Sequence, residues 1–282
     1  MPFLTEPEPE RGQALECLPG ISRIVARNPG PMTCFGTNTY LIDTSQGLVV
    51  LDPGPEDATH VRDIIAAAGS RRIRAILLSH THHDHLGAVP ALREAADAPV
   101  CAFHRPAAAG FTPDHDLADG DKVMGLTALH TPGHASDHLC FAHDVPGTGP
   151  VLFSGDHVMS WSSSVINPPD GDMRAYFASL TRLLERGDTV HLPGHGPLLR
   201  DPQALVREML AHRQAREAAI LAVIQAAPSL IPAIADSLYA GLDARLRPVA
   251  ERNVLAHLLK LEAEGQAARR DELWQARDDG SE

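Results

Sequence analysis

Lysine, cysteine and long apolar runs are all scarce in this 282-residue chain, and each scarcity removes a class of protein. Lysine occurs only at Lys122 and Lys260, and with 24 basic against 36 acidic residues the formal charge is −12. That balance is unfavourable for a protein living on polyphosphate unless its charge is segregated. The cysteines Cys17, Cys34, Cys101 and Cys140 lie far apart with no C-x-x-C pair. This excludes a disulfide-stapled module and suits reduced thiols in a cytoplasm. The most apolar stretch, 220 to 242, is broken by Gln225, Pro228, Ser229, Pro232 and Asp236, so it is no uninterrupted transmembrane helix. The first ten residues offer neither a basic n-region nor an apolar h-region, so no secretory signal is expected and a cytoplasmic location is.

The composition is otherwise that of a globular protein, with 44% hydrophobic and 21% charged residues and no repeat, and the length fits two domains at ~150 residues each. From Gln13 to about Pro197, short β-rich runs mix with helical patterns. Ile21 to Ala26, Asn38 to Asp43, Leu48 to Asp52, Ile73 to Leu78, Val100 to Phe103, Lys122 to Leu129, His138 to His143, Val151 to Ser154 and Thr189 to Leu192 read as strands. Asp57 to Ala68 and Asp172 to Glu185 read as helices. Such runs, without strict β-α alternation, predict layered sheets covered by helices. After Asp201, taken as an N-cap before Pro202, the spacing turns helical, first through Leu205, Met209 and Ile220 and again from Val254 to Gly265. A hairpin around Asp271-Glu272 then completes a winged-helix-like appendage. The expected division is 1–200 and 201–282.

Histidine is in surplus. Ten of the 16 fall in the windows 80–85, 130–138, 157 and 191–195. The first window, Ser79-His80-Thr81-His82-His83-Asp84-His85-Leu86-Gly87, follows an apolar strand and precedes an amphipathic helix. A tight turn there aims alternate imidazoles at one point, and Asp84 and His85 at a neighbouring one. Neutral imidazole and carboxylate suit zinc, and one segment rarely completes a four-coordinate site. Further candidates are His134, Asp156 and His195, each after a strand-like run and a glycine (Gly133, Gly155, Gly194) that lets the backbone turn tightly.

The ordered set of motifs resembles the metallo-β-lactamase-fold superfamily of hydrolases, with Asp52-Pro53-Gly54 matching its first, structural motif. The resemblance implies an α+β fold, the αββα sandwich, and a dinuclear zinc site. His80, His82 and His134 would hold one ion; Asp84, His85 and His195 would hold the other; Asp156 would bridge them. A shared water, acidified towards a pKa of ~7, would be the nucleophile, with Asp84 as the catalytic residue that orients it and carries a proton. Asn38 to Asp43 (NTYLID), Ser154 to Tyr176, His212 to Leu221 (HRQAREAAIL) and Asn253 to Gly265 resemble the β-lactamase-like protein 2 branch. That branch adds a C-terminal winged-helix-like domain, and its mitochondrial member is an endoribonuclease on single-stranded RNA. The chain departs from the family at Ala88, where a second glycine is usual. The 38 residues between Asp156 and His195 leave no room for a large inserted cap domain.

His83 lies out of ligand phase, and His138 and His157 stand between ligand support and plain structure. The loops Gly30 to Thr37 and Trp161 to Asn167 are candidate cleft rims, with Met32, Phe35 and Trp161 as apolar wall and Ser162, Ser163, Ser164 and Asn167 as hydrogen-bonding groups. The resemblance favours a phosphodiesterase acting on single-stranded RNA. The acidity favours the alternative, a thioesterase, lactonase or glyoxalase-II-like hydrolase of a small ester. A mononuclear iron enzyme of sulfur oxidation is a third expectation, opposed by the full second ligand set, and a nucleic-acid-binding regulator a fourth, opposed by residues 203–282, which carry 10 basic and 12 acidic groups. No membrane partner is expected; a homodimer is left open.

Overall fold

The computed structural model describes residues 3–241 and 243–277. Its first 117 residues supply one sheet: β1 (Leu15–Leu18), β2 (Ile21–Val25), β3 (Asn38–Thr44) and β4 (Gly47–Leu51) pair antiparallel in sequence order. After helix α1 (Ala58–Ala68) comes β5 (Ile73–Leu77), after the short α2 (His83–Leu86) and α3 (Val89–Ala96) comes β6 (Val100–Phe103), and β7 (His115–Leu117) closes the edge. The last three strands add in parallel. Asp57 caps α1 by accepting from the N–H of Thr59.

The second sheet contains β8 (Lys122–Val123), β9 (Leu126–His130), β10 (Leu139–Val145), β11 (Gly149–Gly155), then helix α4 (Met173–Leu184), β12 (Val190–Pro193) and β13 (Leu199–Arg200), in spatial order 13-12-11-10-9-8. The single strand expected over Lys122 to Leu129 is instead a hairpin, because Met124 and Gly125 both take positive φ (50° and 83°) and reverse the chain.

Alternate residues of both sheets meet in a dry interface that includes Tyr40, Leu51, Leu77, Phe141, Phe153 and Leu192. The other face of the first sheet packs under α1 and α3, and that of the second under α4. The result is the four-layered αββα sandwich. Helix α5 (Pro202–Ala226) starts where expected, but Asp201 is in the left-handed region (φ 51°) and makes no capping bond, so Pro202 at N1 alone marks the start.

Leu205, Val206 and Met209 of α5 pack onto α4, while Ile220 and Ile224 enter a separate core with α6 (Ile231–Leu238), α7 (Arg247–Ala263) and the hairpin β14 (Ala267–Arg270) and β15 (Leu273–Ala276). Trp274 is buried in that core, and its backbone exchanges two hydrogen bonds with Ser229. One helix is thus shared between the sandwich and the helical unit. Among the described residues no helix is long and apolar enough to cross a membrane.

Candidate metal centre

The site forms where loops leave one end of the two sheets. Asp52 follows β4 with φ 52°, and its carboxylate accepts from the N–H and Oγ–H of Ser79, both at 2.7 Å. The same carboxylate lies 3.0 Å from Nδ1 of His85, and the Ser79 hydroxyl lies 3.0 Å from Nδ1 of His80. Ser79 holds the His80 ring from behind, and the Asp52 carboxylate sits behind the His85 ring as an ion-pair contact without a completed hydrogen bond, so both Nε2 atoms face forward. His134 is anchored likewise, its Nδ1 2.7 Å from the carbonyl of Val165.

All seven candidates from the sequence come together. Nδ1 of His82 lies 2.9 Å from Nε2 of His80 and 3.1 Å from Nε2 of His134. Beside this trio, Nε2 of His195 lies 3.2 Å from Oδ2 of Asp84 and 3.3 Å from Oδ2 of Asp156. Asp156 reaches both sets: Oδ1 is 3.5 Å from Nε2 of His85, and Oδ2 is 3.6 Å from Nε2 of His134. Three overlapping groups could each hold an ion: His80, His82 and His134; His80, His85 and Asp156; Asp84, His85 and His195. Nε2 of His85, Nε2 of His195 and Oδ1 of Asp156 are buried without completing a hydrogen bond. A buried polar atom left so costs ~1–3 kcal/mol, and a divalent cation among nitrogen and oxygen donors satisfies all three.

Burial disfavours charge on every imidazole here, and the neighbours decide the outcome. His80 is held well below its ordinary pKa by burial and by the rings of His85 and His82. Burial also lowers His134. At His85 burial is outweighed by Asp84, Asp52 and Asp156, which raise it well above the imidazole range. At His195 burial is outweighed by Asp156 and Asp84, which raise it to about 9. Burial opposes ionisation of Asp84 and Asp156 too, yet His85 and His195 bring both below the usual carboxylate range.

Several supporting residues escaped the sequence reading as functional. Nδ2 of Asn38 donates to the carbonyls of Pro193 and Gly196, both at 2.9 Å, and the Tyr40 hydroxyl donates to Pro193 at 2.8 Å, so the NTYLID strand fixes the loop that carries His195. Asp170, lowered to about 2 by the neighbouring His82 and then by its bonds from Ser136, lies 3.6 Å from Nε2 of His82, on the side away from Nδ1, which faces the centre. His138 resolves into ligand support: its Nε2 accepts from the N–H of Asp156 at 3.2 Å. His157 is buried behind it against Tyr176, and His83 is exposed at the first position of α2.

Gly133 (φ 144°) and Gly155 (φ 48°) take the positive φ expected, whereas Gly194 does not. A side chain at Gly194 would collide with Oδ1 of Asp156 and with His85, so that glycine provides room for the ligands rather than a turn. Ala88 is buried under the first sheet and donates its N–H to Gly54, away from the ligands.

The centre opens into a cleft of about 470 Å³ whose walls include Met32, Met159, Ser162, Ser163, Val165 and Asn167. Phe35, Trp161 and Ser164 do not line it. Ser164 is buried, with its hydroxyl donating to the carbonyls of Asp156 and His157, and Trp161 packs against Gly196. The outer wall is a surprise to sequence reasoning: Leu246, Val249 and Arg252 come from the helical unit. No local pattern signals this, because the approach is tertiary.

A family model described as the metallo-beta-lactamase superfamily matches residues 32–195, more than half of the chain, and one described as the beta-lactamase associated winged helix domain matches residues 231–274. A relative named beta-lactamase-like protein 2 homolog, from Drosophila melanogaster, is 32% identical over 87% of this chain and 88% of its own. An atrochrysone carboxyl ACP thioesterase from Aspergillus chevalieri is 32% identical over 73% of this chain and 66% of its own. The crystal structure of a beta-lactamase domain protein from Burkholderia ambifaria superposes with a TM-score of 0.80 at 21% identity, covering 95% of both chains, which bears on the fold alone. With both its domains matched in order and its histidines gathered at the mouth of the sandwich, the chain belongs to the metallo-β-lactamase superfamily of metal-dependent hydrolases.

Proposed function

We propose that the chain is a dinuclear zinc hydrolase of a small acyl ester or thioester. His80, His82 and His134 hold one ion, Asp84, His85 and His195 hold the other, and Asp156 serves both. The observation that carries the two-ion reading is the Asp156 carboxylate, which sends one oxygen towards His85 and the other towards His134. The all-nitrogen-and-oxygen donor set suits zinc. When bound, the ions would supply an acidified water and polarise the oxygen of the group under attack. Asp84, at 30% exposure the ligand carboxylate more open to the cleft, orients the nucleophile and takes its proton to the leaving group. No serine nucleophile is needed.

The cleft volume falls within the ~300–1,000 Å³ usual for small-molecule pockets, and Met32, Met159, Val165, Leu246 and Val249 make its wall suited to an apolar acyl group. Among the described residues lining it, Arg252 alone is permanently cationic and can receive an anionic handle on the leaving group. The thioesterase relative supports the same class. The second reading, cleavage of single-stranded RNA, is favoured by a likeness to beta-lactamase-like protein 2 that runs the length of both domains. Two divalent ions would add four charges and take −12 to −8, which eases that reading without supplying a basic track. Four free cysteines support action in a reducing compartment, the cytoplasm.

Metal analysis together with a substrate panel tests the proposal. Two zinc ions per chain, turnover of acyl thioesters or lactones, and loss of that turnover in His82→Ala are expected. Cleavage of a fluorogenic single-stranded RNA, abolished by His82→Ala and with no ester turnover, would replace the small-ester reading by the RNA one. One iron and no zinc per chain would overturn both.

A further inference from the structure

The motif His212-Arg213-Gln214-Ala215-Arg216-Glu217 on α5 is not absorbed by the hydrolytic chemistry, and its arginine has an unusual setting. Arg213 is 2% exposed, and among the described residues it makes no ion pair with a carboxylate. A buried cation without a counter-charge is costly, and side chains seeking only to dock one helix on another achieve it with apolar contacts. Its guanidinium instead spans three elements. Nη1 donates to Oδ1 of Asn253 on α7 at 2.8 Å. Nη2 donates to Oγ of Ser163 at 2.8 Å and to the carbonyl of Ser164. The charge lies over the ring of Tyr176 on α4, 5.5 Å from its centroid.

The segment that Arg213 grips carries the backs of two ligands. The Ser164 hydroxyl donates to the backbone carbonyl of Asp156, and the next carbonyl, that of Val165, holds Nδ1 of His134. We propose that Arg213 is a positioning residue, through which the helical unit fixes the 163–165 segment and so sets His134 and Asp156 for metal binding. The helical unit is then part of the metal centre's scaffold as well as the outer wall of its cleft. Arg216, one turn on, provides the internal contrast: it donates to the carbonyl of Leu238 at 3.2 Å and lies over Tyr239, wholly within the helical unit.

The inference rests on the metal reading above, and zinc titration of the full chain against a chromophoric chelator separates the two. Arg213→Met, which keeps the buried stem, is expected to bind at least one ion ~10-fold more weakly, at the lower end of what supporting residues contribute. Arg213→Lys recovers part of the loss, since an ammonium cannot reach all three acceptors at once. Arg216→Met lowers the melting temperature but leaves zinc affinity unchanged. A parent chain that binds no zinc overturns the metal reading and this inference with it. A parent that binds, beside a folded Arg213→Met that binds equally well, overturns the inference alone. Equal weakening by Arg213→Met and Arg216→Met also overturns it, because loosening of the helical unit in general would then suffice. Where Arg213→Met does not fold, Arg213→Lys and Ser163→Ala decide: weakened zinc binding in either upholds the inference, and parental affinity in both overturns it.

Discussion

His85 and His191 are both fully buried, and burial disfavours the charged imidazole at each. At His85, on the open end of the sandwich, three carboxylates reverse that tendency and raise it. At His191, on β12 in the flank of the sheet, burial wins against Asp188, whose charge is shared with Arg186 at 2.7 Å, and the group is pushed down to about 4. His60 under the first sheet, paired to Thr39 at 2.8 Å, goes the same way to about 4, and His157 falls to about 3. Buried histidine is therefore no signature of a metal site by itself. Nor are unpartnered ring nitrogens, since both nitrogens of His157 and His191 also lack a hydrogen-bond partner; the signature is the concentration of carboxylate around the imidazoles, which makes the open end a place for added positive charge.

Removing that carboxylate would break the contrast most severely. Asp156→Asn keeps the side-chain size but removes the charge shared by both ligand sets. Stabilisation of several kcal/mol by the ions would be forfeited, so turnover should fall by on the order of 10³-fold and bound metal below two ions per chain. Parallel activity assays and metal analysis check this, and full metal content in the variant would show that Asp156 is not shared. A smaller break is expected behind the ligands. Asp52→Ala frees Nδ1 of His85 and the Ser79 hydroxyl that steadies His80, and it should weaken zinc binding by ~10–100-fold in a competition titration. Parental affinity would make Asp52 a turn-forming residue only.

The seven candidate ligands were legible because each lies in a short local motif at the end of a strand, where chain direction and spacing bring donors to one edge. Many strands and helices were legible from local pattern too: apolar runs and helical spacing persist over whole elements such as β5 and α4. What stayed hidden depends on the approach of distant segments. Asn38 and Tyr40 are 155 or so positions from the loop they hold, so NTYLID reads as a plain strand until Pro193 is seen against it. Gly194 was assigned to turning when its true constraint is contact with Asp156, a matter of volume invisible in a local pattern. Phe35 and Trp161 were placed on the cleft wall by their apolar character, but that wall is completed by Leu246, just before α7, and Val249 in its first turn, far along the chain from both.

The flank side of the contrast can be sharpened by pH alone. His191 is neutral in the native chain down to about 4, whereas in the unfolded chain it takes a proton near its ordinary value of 6.5. As pH falls below that value, protons bind the unfolded state first and stability is lost, until the native group also titrates. For this pair of values the loss between about pH 7 and about pH 5 comes to about 2 kcal/mol. In metal-stripped protein, His191→Gln should flatten the pH dependence of urea unfolding by that amount, whatever it does to stability near neutrality. His83→Gln, altering an exposed ring on α2, should shift stability by less than ~0.5 kcal/mol. Parallel pH slopes for His191→Gln and the parent would mean that His191 is protonated in the folded protein, and that Asp188 does at the flank what Asp84 and Asp156 do at the centre.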